Sequence, residues 1–219
     1  MSTKPSAPIL FYGFGLSGHA HRVELLLRMM DLPFTAIEVD LRQGAHKTPE
    51  FLAMHPFGQV PVIDDQGTIV WDSAAIMVYL AEKFGDGSLL PVDLVGRSEV
   101  QRWLSIAAGS LANGPMAARV SVVFKRPCDM AQAHTIAGNL FGVMDRYLNE
   151  REYLAAQRLT IADLALYAYT AHAPEGGIDL APYPNLSRWL SRVEAAPGFV
   201  PMARSKAGLW AEGLSGSPS

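Results

Sequence analysis

Phe57-Gly58-Gln59-Val60-Pro61-Val62-Ile63-Asp64-Asp65 is the stretch on which the reading of the fold turns. Its apolar core is of strand type, and its proline stands at the start of the run, a position a strand tolerates. The polar turn Asp64-Asp65-Gln66-Gly67 follows, then a second strand run, Thr68-Ile69-Val70-Trp71. Two such runs around a short polar turn predict a hairpin. Asp72-Ser73 then supplies capping residues for a helix carrying Ile76, Met77, Tyr79, Leu80 and Phe84.

Working outward toward the start, Ile9-Leu10-Phe11-Tyr12 is a short β-type run that ends in the glycines Gly13, Gly15 and Gly18. From Gly18 to Met30 the apolar positions Ala20, Val23, Leu26, Leu27 and Met30 recur at helical spacing. Phe34 to Leu41 alternates as a strand. Thr48-Pro49-Glu50 opens a further helix, with proline in the first turn and an acid beside the positive end of the dipole. The order is β-α-β-α-β-β-α over residues 1–84. Gly85-Asp86-Gly87-Ser88, Pro91 and Gly96 mark residues 85–96 as a linker. Beyond it, residues 97–219 are helical in period, with helices expected near 97–124, 129–149, 160–173 and 184–196. The fold class is α/β followed by an all-helical domain.

Composition narrows the function. Hydrophobic residues make up 49% and charged residues 18% of the 219, the balance of a folded globular chain. A net charge of −3 and a sequence pI near 6.1 give no basic face for nucleic acid or anionic lipid. The single cysteine, Cys128, excludes an intrachain disulfide and a C-x-x-C pair. With no signal-peptide pattern at the start and no long apolar run, a soluble, cytoplasmic protein is expected.

Gly13-Phe14-Gly15-Leu16-Ser17-Gly18, with Asp40 beyond it, matches the glycine fingerprint of a dinucleotide site. Its context opposes that reading: a hairpin and then only helices follow, where a doubly wound domain needs further parallel strands. His19 and His21 lie two apart on a helix and do not share a face, so a metal pair is not expected. Thr160-Ile161-Ala162-Asp163 reads as a capping box and gives Asp163 a structural role.

The chemistry lies around Pro61. A cis bond there turns the Val60 backbone outward, where its N–H and C=O can pair with an extended peptide. Asp72-Ser73 places a hydroxyl and free amides at a helix start, where a carboxylate is well held. Glutathione, a short peptide with a free α-carboxylate, meets both requirements. At these residues, and at Leu159-Thr160-Ile161-Ala162-Asp163, the chain resembles the cytosolic glutathione S-transferases over residues 8 to about 203.

That resemblance implies a thioredoxin-like first domain joined to an all-helical one, in a homodimer. It implies that Val60 pairs with the cysteinyl backbone of glutathione, that Pro61 is the cis proline, and that Asp72 and Ser73 hold the γ-glutamyl group. Lys47 would approach the glycyl carboxylate, and Gln59 would add a polar side chain. Many members carry Glu or Gln where this chain has Asp72. Ser17-Gly18-His19-Ala20-His21-Arg22 resembles the first-helix signature of the tau and omega classes, with Ser17 at the position that activates the thiol. A hydroxyl at a helix N-terminus can donate to a thiolate. Tyr12 is the rival activator.

The pocket for a small apolar electrophile is expected between Ser17 and the first helix of the second domain. Its candidates are Phe14, His19, Trp103, Ala107, Ser110, Leu111 and Met116, with Leu209-Trp210 as a lid. Glutathione is the co-substrate, and no metal or other cofactor is implied. Two other functions fit the scaffold: a non-catalytic ligand carrier or regulatory protein, and a glutathione-dependent disulfide reductase. With serine at position 17, reduction would need two bound glutathiones.

Overall fold

The computed structural model describes residues 4–205. Strand β1 (Ile9–Gly13) buries alternate residues, as period-two geometry requires. Helix α1 (Gly18–Met29) carries the chain over to β2 (Phe34–Glu38), which lies parallel to β1 with Ile9 opposite Phe34. A 3-10 turn (Ala45–Lys47) and α2 (Pro49–Met54) lead to β3 (Val62–Asp65), antiparallel to β1 with Phe11 opposite Ile63. The hairpin partner β4 (Thr68–Trp71) sets Ile63 opposite Val70. The sheet order is β2-β1-β3-β4, and α3 (Ser73–Phe84) closes this half. The mixed four-stranded sheet is that of a thioredoxin-like domain, not of a doubly wound dinucleotide fold.

The two faces of the sheet serve different cores. Phe11 and Ile63 join the main cluster with α1 and α3. Their neighbours Tyr12 and Val62 belong to a small cluster with Val39 and Phe51. Tyr12 therefore packs edge-on against Phe51, with centroids 6.5 Å apart.

The second half is helical: α4 (Leu94–Ile106), a π-helical stretch (Ala107–Met116), α5 (Ala117–Phe124), α6 (Met130–Tyr147), α7 (Ile161–Ala171), a 3-10 turn (Ala173–Gly176) and α8 (Pro184–Glu194). Helix α4 begins three residues before the expected start, because the Asp93 side chain accepts from the Gly96 N–H and caps it there. The run from 94 to 124 holds Pro115, which lacks a donor and is absorbed by the wider π spacing.

Helix α7 is buried almost all round and packs against α1. The approach is close because residue 18 is glycine; a Cβ there would stand 2.8 Å from the Tyr169 ring. The capping box forms as expected, with Thr160 and Asp163 bonding reciprocally. Cys128 is exposed. Among the described residues no helix is long and apolar enough to cross a membrane.

Candidate active site

The loop from β1 to α1 ends at Ser17, the N-cap of α1. Its Oγ accepts from Ala20 N at 3.2 Å, which satisfies one of the donors that a helix start leaves open. An oxygen that accepts in this way keeps its own O–H proton to donate elsewhere. Ser17 lines a cavity of about 370 Å³ between the two halves of the chain, a size suited to a small-molecule site. Tyr12 is not among its lining residues.

One wall comes from the first half. Lys47, Gln59 and Val60 line it, joined by Leu41, His46 and Gly58, which the sequence did not single out. The Val60-Pro61 peptide is cis. Val60 stands two residues before the first paired residue of β3, and Pro61 itself is buried. Lys47 Nζ donates to the carbonyls of Phe57 at 2.9 Å and Gly58 at 3.2 Å. Gly58 has φ +57, and a Cβ on it would stand 2.4 Å from the His46 carbonyl. Only glycine lets the loop close over the His46-Lys47 turn.

Pro61, Asp72 and Ser73 do not line the cavity; the start of α3 meets it through His19, whose Nδ1 faces Ser73. Asp72, not Ser73, is the cap: its Oδ1 accepts from Ala74 N at 2.9 Å and Ala75 N at 3.0 Å. Asp72 has φ 71 and ψ 125, a region that costs a non-glycine residue ~1–3 kcal/mol and tends to occur at functional sites. Ser73 is buried. Its Oγ lies 3.2 Å from His19 Nδ1 and accepts from Arg22 Nη1 at 3.4 Å. Arg22 is buried as well, and burial lowers its pKa to about 10, so it is charged at neutral pH. A positive charge thus stands beneath the α3 N-terminus, as a carboxylate site needs.

His19 joins both walls. Its Nδ1 faces Ser73, and its Nε2 lies 3.2 Å from Met116 Sδ. Desolvation, with Arg22 nearby, lowers its pKa to about 3, so the ring is neutral at physiological pH. His21 turns the other way, to the Val200 carbonyl at 2.8 Å. No cluster of three metal-ligating side chains occurs among the described residues.

The far wall differs from the sequence expectation. Phe14, His19 and Met116 line the cavity, but Trp103, Ala107, Ser110 and Leu111 do not. Trp103, Ala107 and Leu111 form a buried stripe in the main core, Trp103 packing on Tyr147 with centroids 5.2 Å apart. Ser110 is exposed. The cavity meets the chain later, at Met116, Arg119, Val120, Phe124 and Arg126, with Tyr169 from α7. The four-residue steps Met116, Val120, Phe124 were the available signal. Leu209-Trp210 lies outside the described residues.

Arg119 left no local signal in the sequence. Fully buried, it donates from Nη1 to the Leu16 carbonyl at 3.0 Å, from Nε to Glu175 Oε2 at 2.7 Å and from Nη2 to Ser205 Oγ at 3.0 Å. Glu175 also faces His172 Nδ1 at 2.6 Å. Burial works against its charge, but His172 and Arg119 outweigh that and bring its pKa to about 2. The pair anchors the residue before Ser17 to the helical half.

Comparison with known proteins agrees with this geometry. Residues 16–83 match the glutathione S-transferase N-terminal domain, and residues 123–197 the C-terminal domain. The chain is 32% identical to glutathione S-transferase 3 of Zea mays, over 88% of this chain and 92% of that protein. A glutathione S-transferase structure from Pseudomonas fluorescens superposes with a TM-score of 0.84 at 33% identity, over 90% of this chain and 99% of that one. A Drosophila glutathione transferase homologue with bound glutathione gives 0.79 at 28% identity, over 87% and 89%. The chain belongs to the glutathione S-transferase family.

Proposed function

We propose that this chain is a glutathione transferase that ionises glutathione at Ser17 and delivers the thiolate to an apolar electrophile. The observation that carries the reading is the meeting of Ser17, Val60 and Lys47 on one cavity that also has an apolar far wall. Glutathione lies along the Val60 edge, its glycyl carboxylate toward Lys47 and its γ-glutamyl group toward Asp72 and Ser73, the ammonium facing Asp72 and the carboxylate facing Ser73 and the charge of Arg22; Gln59 adds a polar contact. The thiol proton leaves to solvent, the sulfur attacks the acceptor carbon, and the leaving group departs with its electron pair. The tau-like and omega-like first-helix signature carries serine or cysteine at this position, and serine at position 17 supports conjugation over one-thiol disulfide reduction. Glutathione serves as co-substrate, with no metal or organic cofactor. Residues 1–84 hold glutathione and residues 97–219 supply the acceptor wall. One exposed cysteine in the chain suits a reducing compartment, the cytoplasm.

Binding tests this directly. Glutathione should bind at micromolar to millimolar Kd, about −4 to −8 kcal/mol. Ser73→Ala should weaken it about tenfold, since it removes a hydroxyl beside the carboxylate and strips Arg22 and His19 of a partner. Calorimetry that finds no binding at millimolar glutathione overturns the reading.

A homodimer is the assembly we propose. Phe57 is 65% exposed, and its ring lies 5.9 Å from that of Trp71, itself exposed, with Ile69 exposed on the same hairpin. An aromatic patch of this kind on a soluble chain points to a contact surface. Light scattering should give twice the 23.7 kDa chain mass, and Phe57→Ser should shift the protein toward monomer at micromolar concentration. A wild-type monomer removes the dimer and leaves the fold untouched.

A further inference from the structure

The cavity walls carry an unbalanced charge. Lys47, Arg119 and Arg126 all line it, and no aspartate or glutamate does. Two of these cations are already engaged. Arg119 is held from behind by Glu175. Lys47 is turned onto the Phe57 and Gly58 carbonyls, beside the place where glutathione's glycyl end lies in the transferase reading. Arg126 is exposed at the rim and makes no hydrogen bond or ion pair with any described residue.

The chain is bent to bring Arg126 there. Lys125 ends α5 in the left-handed conformation, with φ 54, a conformation that disfavours any residue but glycine, asparagine or aspartate. The turn stops the helix and directs the next residue back over the opening. Phe14, Leu41, Met116, Val120 and Phe124 form the apolar surface beneath it. Phe14 and Phe124 face each other with centroids 6.4 Å apart. The positive field is felt across the cleft: desolvation, then Lys47 and Arg126, depress the pKa of His46.

We infer that Arg126 selects acceptors carrying an anionic group, a carboxylate or sulfonate on an apolar electrophile, and holds that group at the rim of the cavity. The inference deepens the transferase reading and rests on it. The apolar body lies on Phe14, Val120 and Phe124, and the anion reaches Arg126. A guanidinium suits the role because its fork matches a carboxylate in two places. It also offsets the repulsion between an anionic acceptor and the approaching thiolate. Cationic acceptors are rejected by the same field.

Conjugates make the test independent of turnover. The wild-type protein and Arg126→Gln are titrated with the aryl conjugates of glutathione made from a chlorodinitrobenzene and from the matching chlorodinitrobenzoate, and with S-methylglutathione. The carboxylated conjugate should lose about tenfold in affinity in Arg126→Gln, on the scale of a charge-assisted hydrogen bond at a partly exposed site. The other two should change less than twofold, and Arg126→Lys should recover part of the loss. If all three ligands weaken alike, Arg126 serves the glutathione peptide and the inference fails. It fails equally if none changes. The transferase reading is judged separately, by whether the wild type releases chloride from either chloroarene with glutathione. A protein that binds the conjugates yet releases none is a carrier, and the Arg126 comparison still decides its selectivity.

Discussion

Asp163→Ala will cost about 3–5 kcal/mol of folding stability, a large part of the total for an ordinary domain. The carboxylate is fully buried and accepts four hydrogen bonds. Oδ1 takes the Leu154 N–H and the Trp189 Nε1–H, both at 2.9 Å. Oδ2 takes the Thr160 N–H at 2.9 Å and its hydroxyl at 3.1 Å. One side chain thus caps α7, pins the turn before it and ties α8 to both. Alanine leaves these donors in an apolar interior, where each unsatisfied group costs ~1–3 kcal/mol. Asparagine should lose less, because its carbonyl can keep the Leu154 and Trp189 bonds and its amide can donate to Thr160 Oγ1. Only the Thr160 N–H then faces a donor. Urea unfolding at neutral pH ranks the three proteins.

The same residue gives a pH signature. Burial raises the Asp163 pKa from 3.8 to about 6, against the pull of its four donors. The native state then binds the proton more tightly than the unfolded chain does. This contribution to stability is complete below pH 4 and is lost as pH rises from about 4 to about 6. Asp163→Asn should abolish that slope. A wild-type slope that survives in the asparagine variant shows that another group titrates there.

Legibility in the sequence followed the range of each interaction. The hairpin around Gly67, the cap at Asp72 and the box at Thr160 and Asp163 are made by residues within four of one another, so spacing alone exposed them. Val60 and Ser17 lie far apart in the chain, yet each sits at a local landmark, a proline-led strand and a helix start; Lys47 has none, and only the family resemblance pointed to it. The acceptor wall had no such landmark. Trp103, Ala107 and Leu111 have faultless helical spacing, but a period identifies an apolar stripe and not whether the stripe meets core or cavity. In this fold it meets core. Arg119 was invisible for a related reason: its partners Leu16 and Glu175 stand 103 and 56 residues away.

Ser17→Ala should raise the pKa of bound glutathione toward that of a free thiol, near 8.5 for cysteine, and lower turnover at neutral pH by roughly 10–100-fold. The hydroxyl that accepts from Ala20 N keeps a proton to donate, and a thiolate is a better acceptor than a thiol. The loss therefore falls on the ionised form. Affinity for S-methylglutathione, which cannot ionise, should change little. Alanine also removes the α1 cap at a cost of ~1 kcal/mol, so Ser17→Thr, which keeps both roles, is the control for folding. His19 stands two residues away, but with its pKa lowered to about 3 it is neutral wherever glutathione ionises and adds no limb to the profile. A single limb, read from the ultraviolet absorbance of the thiolate against pH, should report the bound sulfur alone. Tyr12→Phe should leave that curve in place, because Tyr12 packs toward Phe51. A Ser17→Ala protein that keeps the wild-type curve while Tyr12→Phe shifts it gives the role to Tyr12. If neither moves it and no electrophile is consumed, the scaffold carries ligands and does not transform them.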